Sequence, residues 1–140
     1  MQKGAVWIID SDIEDHDIVR EAWNELGLTN DLIFLPTAEL TLTRLLEVQE
    51  APFIIICGLN LSGINGFELR QRMLEAGSKL FRTVPFIFWS TEASETQITR
   101  AFDLSVHGFF IKENSMEEVK KTFTIIINYW FKSRMPSKIR

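Results

Sequence analysis

Cysteine is nearly absent, with Cys57 alone in 140 residues. That excludes an intrachain disulfide and any cysteine-rich zinc site. Cys57 lies inside an apolar run, where a free thiol serves as a small core hydrophobe. Histidine is almost as scarce. His16 and His107 have no second metal-ligating residue at useful spacing, so they are expected to be structural or solvated. Basic charge is short as well: 15 Lys and Arg against 19 Asp and Glu leave a net charge of -4. Such a chain has no positive field to draw in nucleic acid. No apolar run approaches the ~18 residues of a membrane span. Lys3 leads into a short apolar run without a signal-peptide pattern. The expectation is a cytoplasmic protein that binds neither nucleic acid nor membrane.

What the chain does have is apolar bulk. Its hydrophobic fraction is 46%, with eleven Phe and four Trp, enough to bury one sizeable core. No linker, internal repeat or low-complexity segment interrupts it, so residues 1–140 are expected to form a single domain. Five short apolar runs alternate with five segments of helical period. The runs are Ala5–Ile9, Leu32–Leu35 (stopped by Pro36), Phe53–Cys57, Phe86–Trp89 and Gly108–Ile111. The first helix carries a stripe of Ile18, Val19, Ala22, Trp23 and Leu26 and ends near Gly27. A second covers Leu40 to Val48, and a third runs from Gly66 through Phe67, Leu69, Met73 and Leu74 to Gly77. Ser94–Gln97 and Ser115–Glu118 have capping-box spacing, opening a fourth helix and a last one reaching about Arg134. A short basic tail follows.

Strands alternating with helices in this way imply right-handed crossovers and a parallel sheet covered on both faces. The fold class is α/β: a flavodoxin-like, doubly wound (βα)5 arrangement with strand order 2-1-3-4-5. Its ligand site should lie beyond the carboxyl ends of strands one and three. Four strand ends converge there, bringing Asp10-Ser11-Asp12, Gly58, Ser90-Thr91 and Lys112.

The loop after the third strand, Gly58-Leu59-Asn60-Leu61-Ser62-Gly63-Ile64-Asn65-Gly66, closely resembles that of response-regulator receivers of the chemotaxis-regulator type. The likeness spans Val6 to about Phe123 and is carried by several motifs in order. It implies that Asp10 and Ser11 occupy the positions of a magnesium-binding acidic pair. It also implies that Gly58 stands where the phosphoacceptor aspartate is expected, Ser90 where a hydroxyl bonds the phosphoryl group, and Lys112 where a lysine neutralises it. Phe109 matches an aromatic whose rotamer follows that hydroxyl.

Three departures accompany the likeness. Gly58 has no side chain and can be neither nucleophile nor ligand. Ser11 replaces a carboxylate, leaving Asp10 as the one matching acid. Glu113 stands where a proline with a cis bond is usual, and a non-proline cis bond costs about 2.5–4 kcal/mol, so this loop is expected to be trans. The resemblance therefore implies a degenerate receiver in two-component or phosphorelay signalling, not an enzyme, lacking aspartyl phosphorylation at the usual position. No cofactor is expected, and magnesium would bind Asp10 weakly at most. Lys112 needs a counter-charge if partly buried, and Asp10 is the expected partner, met directly or through a water in the space left at Gly58.

The resemblance implies contact with a protein partner (a histidine kinase, an output protein or a second copy) through the face of the fourth helix, fifth strand and last helix. The last helix is apolar on nearly every side. Because such a helix is buried on more than one side, Ile125, Tyr129, Trp130 and Phe131 are candidate interface residues, with a homodimer as one outcome. A tail from Lys132 folding back over them is the alternative. Asp12, Glu14, Asp15 and Asp17 are read as helix-start acids that favour the positive end of the dipole.

Two rival functions compete with that reading. Ile8-Ile9-Asp10-Ser11-Asp12 also resembles the first motif of haloacid-dehalogenase-type phosphatases, with Asp10 as nucleophile, Asp12 as acid/base, and Ser90 and Lys112 in later positions. That family needs a further acidic motif, whereas Glu113 to Glu117 runs straight into a helix. A flavin module would need the loop after the first strand to cradle a phosphate, but Asp10, Asp12, Glu14, Asp15 and Asp17 repel an anion.

Overall fold

The computed structural model describes residues 4–76 and 79–135. Five parallel strands, β1 (Val6–Ile9), β2 (Leu32–Leu35), β3 (Ile54–Cys57), β4 (Phe86–Ser90) and β5 (Gly108–Ile111), form one sheet in the order β2-β1-β3-β4-β5. The helices are α1 (Ile13–Glu25), α2 (Ala38–Glu47), α3 (Gly66–Glu75), a single turn α4 (Lys79–Arg82), α5 (Glu95–Asp103) and α6 (Met116–Lys132). The flavodoxin-like order expected from the sequence is the order found.

Alternation along the strands sorts the core into two layers. Trp7, Ile9, Ile55, Cys57, Phe86 and Phe88 face one side, where they meet α2, α3, α5 and Phe81 of α4. Val6, Ile8, Ile54, Ile56, Ile87 and Trp89 face the other, against Val19 and Trp23 of α1 and Phe123, Ile126 and Ile127 of α6. Each fully buried side chain of this size contributes roughly 1.5–3 kcal/mol.

Local chemistry sets the helix ends. Asp12, Thr37, Asn65, Ser94 and Ser115 each accept a hydrogen bond from a first-turn N–H, satisfying donors that a helix start leaves free. Because Thr37 caps α2, that helix begins two residues before the expected Leu40. Gly27 follows α1 at φ +66, the left-handed position at which helices commonly stop. Gly66 is required for a different reason: a Cβ there would run into the carbonyl of Gly58 and the ring of Phe88.

Several expectations need correction. Ser94 and Gln97 form the full capping box, but Ser115 supplies only half of one. Its hydroxyl accepts from the N–H of Glu118, while the Glu118 carboxylate turns to Lys121 at 3.0 Å. The last helix ends at Lys132, not Arg134, because Ser133 turns extended. The turn α4 has no counterpart in the sequence reading. Gly77, expected to end α3, and the end of the basic tail lie outside the described residues.

Candidate functional site

Asp10 follows the last residue of β1, on the strand central to the β2-β1-β3 run, and only 4% of it is exposed. Both carboxylate oxygens are used. Oδ1 accepts from the N–H of Asp12 at 3.0 Å, and Oδ2 accepts from Lys112 Nζ at 2.8 Å. The Asp10–Lys112 pairing expected from charge balance, either direct or through a water, is therefore present as a direct contact.

Lys112 reaches this point because β5 hands its chain over at the same edge, with the Lys112 N–H donating to the Ser90 carbonyl at 2.8 Å. Its ammonium has two further neighbours that sequence reasoning did not assign. Asp15 Oδ2 lies at 2.6 Å, and the Trp89 ring centroid at 5.1 Å. Burial works against the charged lysine, but its hydrogen bonds to Asp10 and Asp15 outweigh that, and its pKa is raised. Asp15 was expected to be a helix-start acid. It sits in the first turn of α1, but its carboxylate closes over the lysine. The signal available in the sequence was its place one turn into a helix that starts beside Asp10.

The two serine hydroxyls of the set are each tied to backbone. Ser11 Oγ donates to the carbonyl of Asn60 at 3.2 Å, joining the loops after β1 and β3. Thr37 and Ser62 form an isolated parallel bridge, so the loop after β3 is also fastened to the loop after β2. Ser90 is buried, and its Oγ accepts from the N–H of Glu92 at 3.1 Å. Phe109 is half-buried with its ring 6.0 Å from that of Phe88. The bond between Lys112 and Glu113 is trans.

Gly58 sits directly after β3, its N–H donating to the Ile9 carbonyl at 2.8 Å. A Cβ on Gly58 would stand 2.9 Å from Asp10 Oδ2 and 3.3 Å from Asp10 Cγ. The Asp10 carboxylate thus leans into the space that a side chain at position 58 would enter.

His16 is buried, with Nε2 2.6 Å from the Asp10 carbonyl and its ring stacked near Phe34. It braces the backbone beneath the acid. His107 lies at the other end of the sheet, where Nδ1 accepts from the N–H of Phe86 at 3.1 Å. Asp12 caps α1 by accepting from the N–H of Glu14 at 2.9 Å and is exposed. Of the four candidate interface residues, Ile125 and Tyr129 are 59% and 62% exposed. Trp130 and Phe131 are half-buried instead: Trp130 packs edge-on to His107 and Phe131 lies 5.0 Å from Phe53. Among the described residues, no helix is long and apolar enough to cross a membrane, and no three His, Cys, Asp or Glu side chains cluster as metal ligands do.

The family model of the response regulator receiver domain matches residues 12–124. The chain is 27% identical over 126 residues to the probable methanogenesis regulatory protein FilR2 of Methanothrix harundinacea, covering 84% of this chain and 80% of that protein. Among solved structures it resembles the phosphorylated cyanobacterial phytochrome response regulator RcpA, with TM-score 0.84 and 17% identity over 97% of this chain and 99% of that one. It also resembles RPA3017 of red light signaling in R. palustris, with TM-score 0.82 and 19% identity over 96% and 99%. The chemotaxis response regulator CheY4 of Vibrio cholerae follows at TM-score 0.72 and 17% identity over 88% and 98%. At such identities these structural likenesses establish the fold.

Proposed function

The chain belongs to the response regulator receiver family, and from that premise we propose that it is a degenerate receiver, one that signals through protein contacts and accepts no phosphoryl group on aspartate at the usual position. The observation that carries this is the Asp10–Lys112–Asp15 cluster beside Gly58. A family acceptor at position 58 would need the space that Asp10 Oδ2 fills, and the lysine that would neutralise a phosphoryl group is already neutralised.

The residues present do not fit magnesium. That ion wants near-octahedral oxygen ligands, usually one or two carboxylates plus phosphate. Here Asp10 spends one oxygen on a backbone N–H and the other on Lys112, Ser11 donates its hydroxyl to a carbonyl, and position 58 offers nothing. The ammonium stands as the internal cation of the cluster, and no magnesium-dependent step is assigned. The site does not suit the phosphatase alternative. Asp12, its acid/base, is exposed and committed to capping α1, and the sheet ends at β5 without a further acidic strand end among the described residues.

The partner is a signalling protein (a histidine kinase, an output protein or a second copy), met in the cytoplasm through α5, β5 and α6. Phe102, Ile111 and Ile125 are exposed there, one on each element. The test is incubation with acetyl phosphate or beryllofluoride plus magnesium, followed by amide NMR. Unchanged shifts at Gly58, Ser90 and Phe109 are expected. Clear shifts at these residues would overturn the proposal by showing that an acid such as Asp10 accepts the group.

A further inference from the structure

Resting on that contact-based function, we infer that the outer stripe of α6 seats a second copy of this chain, antiparallel and centred on Ile125. The stripe runs Glu118, Lys121, Ile125, Tyr129, Lys132, all exposed. The steps of three, four, four and three keep these residues on one helix face. Val119, Phe123, Ile126 and Ile127, which fill the core, lie on the opposite side. At the centre of the stripe are two large apolar groups four residues apart, Ile125 and Tyr129, each more than half exposed. At its ends are opposite charges.

The order of these residues selects the partner and its direction. Glu118 and Lys132 are each seven residues, roughly two turns or 10.5 Å, from Ile125. A two-fold axis through Ile125 therefore sets Glu118 beside Lys132 of the second copy, and does so twice. Ile125 meets Ile125 of the second copy, and Tyr129 packs beside it, within reach of the Lys121 stem of the second copy. A parallel pairing would instead oppose Glu118 to Glu118 and Lys132 to Lys132, which like-charge repulsion disfavours. Glu118 now holds Lys121 of its own helix. That exposed pair is easily exchanged, since such pairs contribute little. A single helix-on-helix contact belongs to the small end of specific interfaces, below about 1,200 Å² in total, so the dimer is reversible and concentration-dependent.

Sedimentation velocity of the whole chain, from micromolar to millimolar concentration without any phosphodonor, is the test. The wild type should shift from monomer to dimer. Ile125→Glu should remain monomeric, and Glu118→Lys should weaken association by roughly tenfold or more, because each change acts twice across the axis. The double swap Glu118→Lys with Lys132→Glu should restore the dimer. Far-ultraviolet dichroism confirms that each variant is folded. A wild type that stays monomeric at millimolar concentration would overturn the inference, as would an Ile125→Glu dimer of undiminished strength. Failure of the double swap to recover association in a folded protein would also overturn it. None of these outcomes alters the phosphodonor experiment, whose shifts report on the carboxyl edge of the sheet and not on α6.

Discussion

At the carboxyl edge of the sheet, the Lys112 side chain is 14% exposed and holds carboxylates at 2.8 and 2.6 Å. One helix later in the chain, Ile125 stands 59% exposed, with Tyr129 beside it at 62%. The first region has buried its charges and satisfied them internally; the second has left apolar surface in water. A protein that used its sheet edge for phosphoryl chemistry would need the reverse there, with carboxylates open to solvent and a lysine free to move. On the proposed reading, interaction has passed from the edge to the helix, and that contrast can be broken from either side.

The largest effect should come from removing the cation. Lys112→Met leaves Asp10, with its side chain 5% exposed, facing Asp15 without the charge between them. Breaking a buried pair from one side costs about 3–5 kcal/mol. Urea unfolding should show a loss of that order, and tryptophan emission should change because the ammonium lies over Trp89. A loss below about 1 kcal/mol would mean that the cluster is held loosely enough to open for a ligand, which erases the contrast.

Gly58→Asp comes next. The new Cβ would stand 2.9 Å from Asp10 Oδ2, forcing Asp10 aside and adding a second carboxylate. Overpacking of this kind costs about 1–3 kcal/mol. The variant should be less stable than the wild type and should incorporate label from acetyl phosphate weakly at best, because Ser11 still supplies no carboxylate beside Asp10 for a metal ion. Ready labelling of Gly58→Asp would show an edge that lacks only its acceptor.

By comparison, Ile125→Glu should change monomer stability by no more than about 0.5 kcal/mol, since the side chain packs against little. A large loss in dilute solution would place Ile125 in the core and remove the second half of the contrast.

How far the sequence reveals these two regions differs between them. The sheet order and both core layers follow from the alternation of apolar runs and helical stripes, because burial on two faces leaves a continuous apolar signature. Asp10, Ser11, Gly58, Ser90 and Lys112 are legible as a set because strand ends converge wherever a sheet is parallel. Asp15 and Trp89 are not legible as members of that set. An acid in a first helical turn has a local explanation in the helix dipole, and an apolar strand residue has one in the core, so neither points to Lys112. The turn α4 is invisible for a related reason: four residues, the buried Phe81 among them, are too few to show a period. On α6 the sequence flags excess apolar surface but assigns Phe131 and Trp130 to the outside. Which side chains find Phe53 and His107 depends on contacts distant in sequence.

The smallest effect is expected at the opposite edge of the sheet, where the same logic of internal satisfaction is set by pH. His107 precedes β5. Its N–H donates to the Phe86 carbonyl at 2.8 Å, and its Nδ1 accepts from the Phe86 N–H at 3.1 Å. The ring is therefore neutral, with its proton on Nε2, and a second proton would set an N–H against an N–H. Burial pushes the His107 pKa below its ordinary 6.5, and the positive charge of Arg70 pushes the same way. The unfolded chain then binds the proton more readily than the folded one, so stability falls as pH drops below about 6.5 and is fully present above it. Urea unfolding of the wild type and of His107→Gln between pH 7 and pH 5 isolates this contribution, because the carboxylate background is common to both. The wild type should lose more stability on acidification than the variant. Equal losses would show that His107 titrates as it does in water, and that the internal satisfaction of the carboxyl edge does not extend across the sheet.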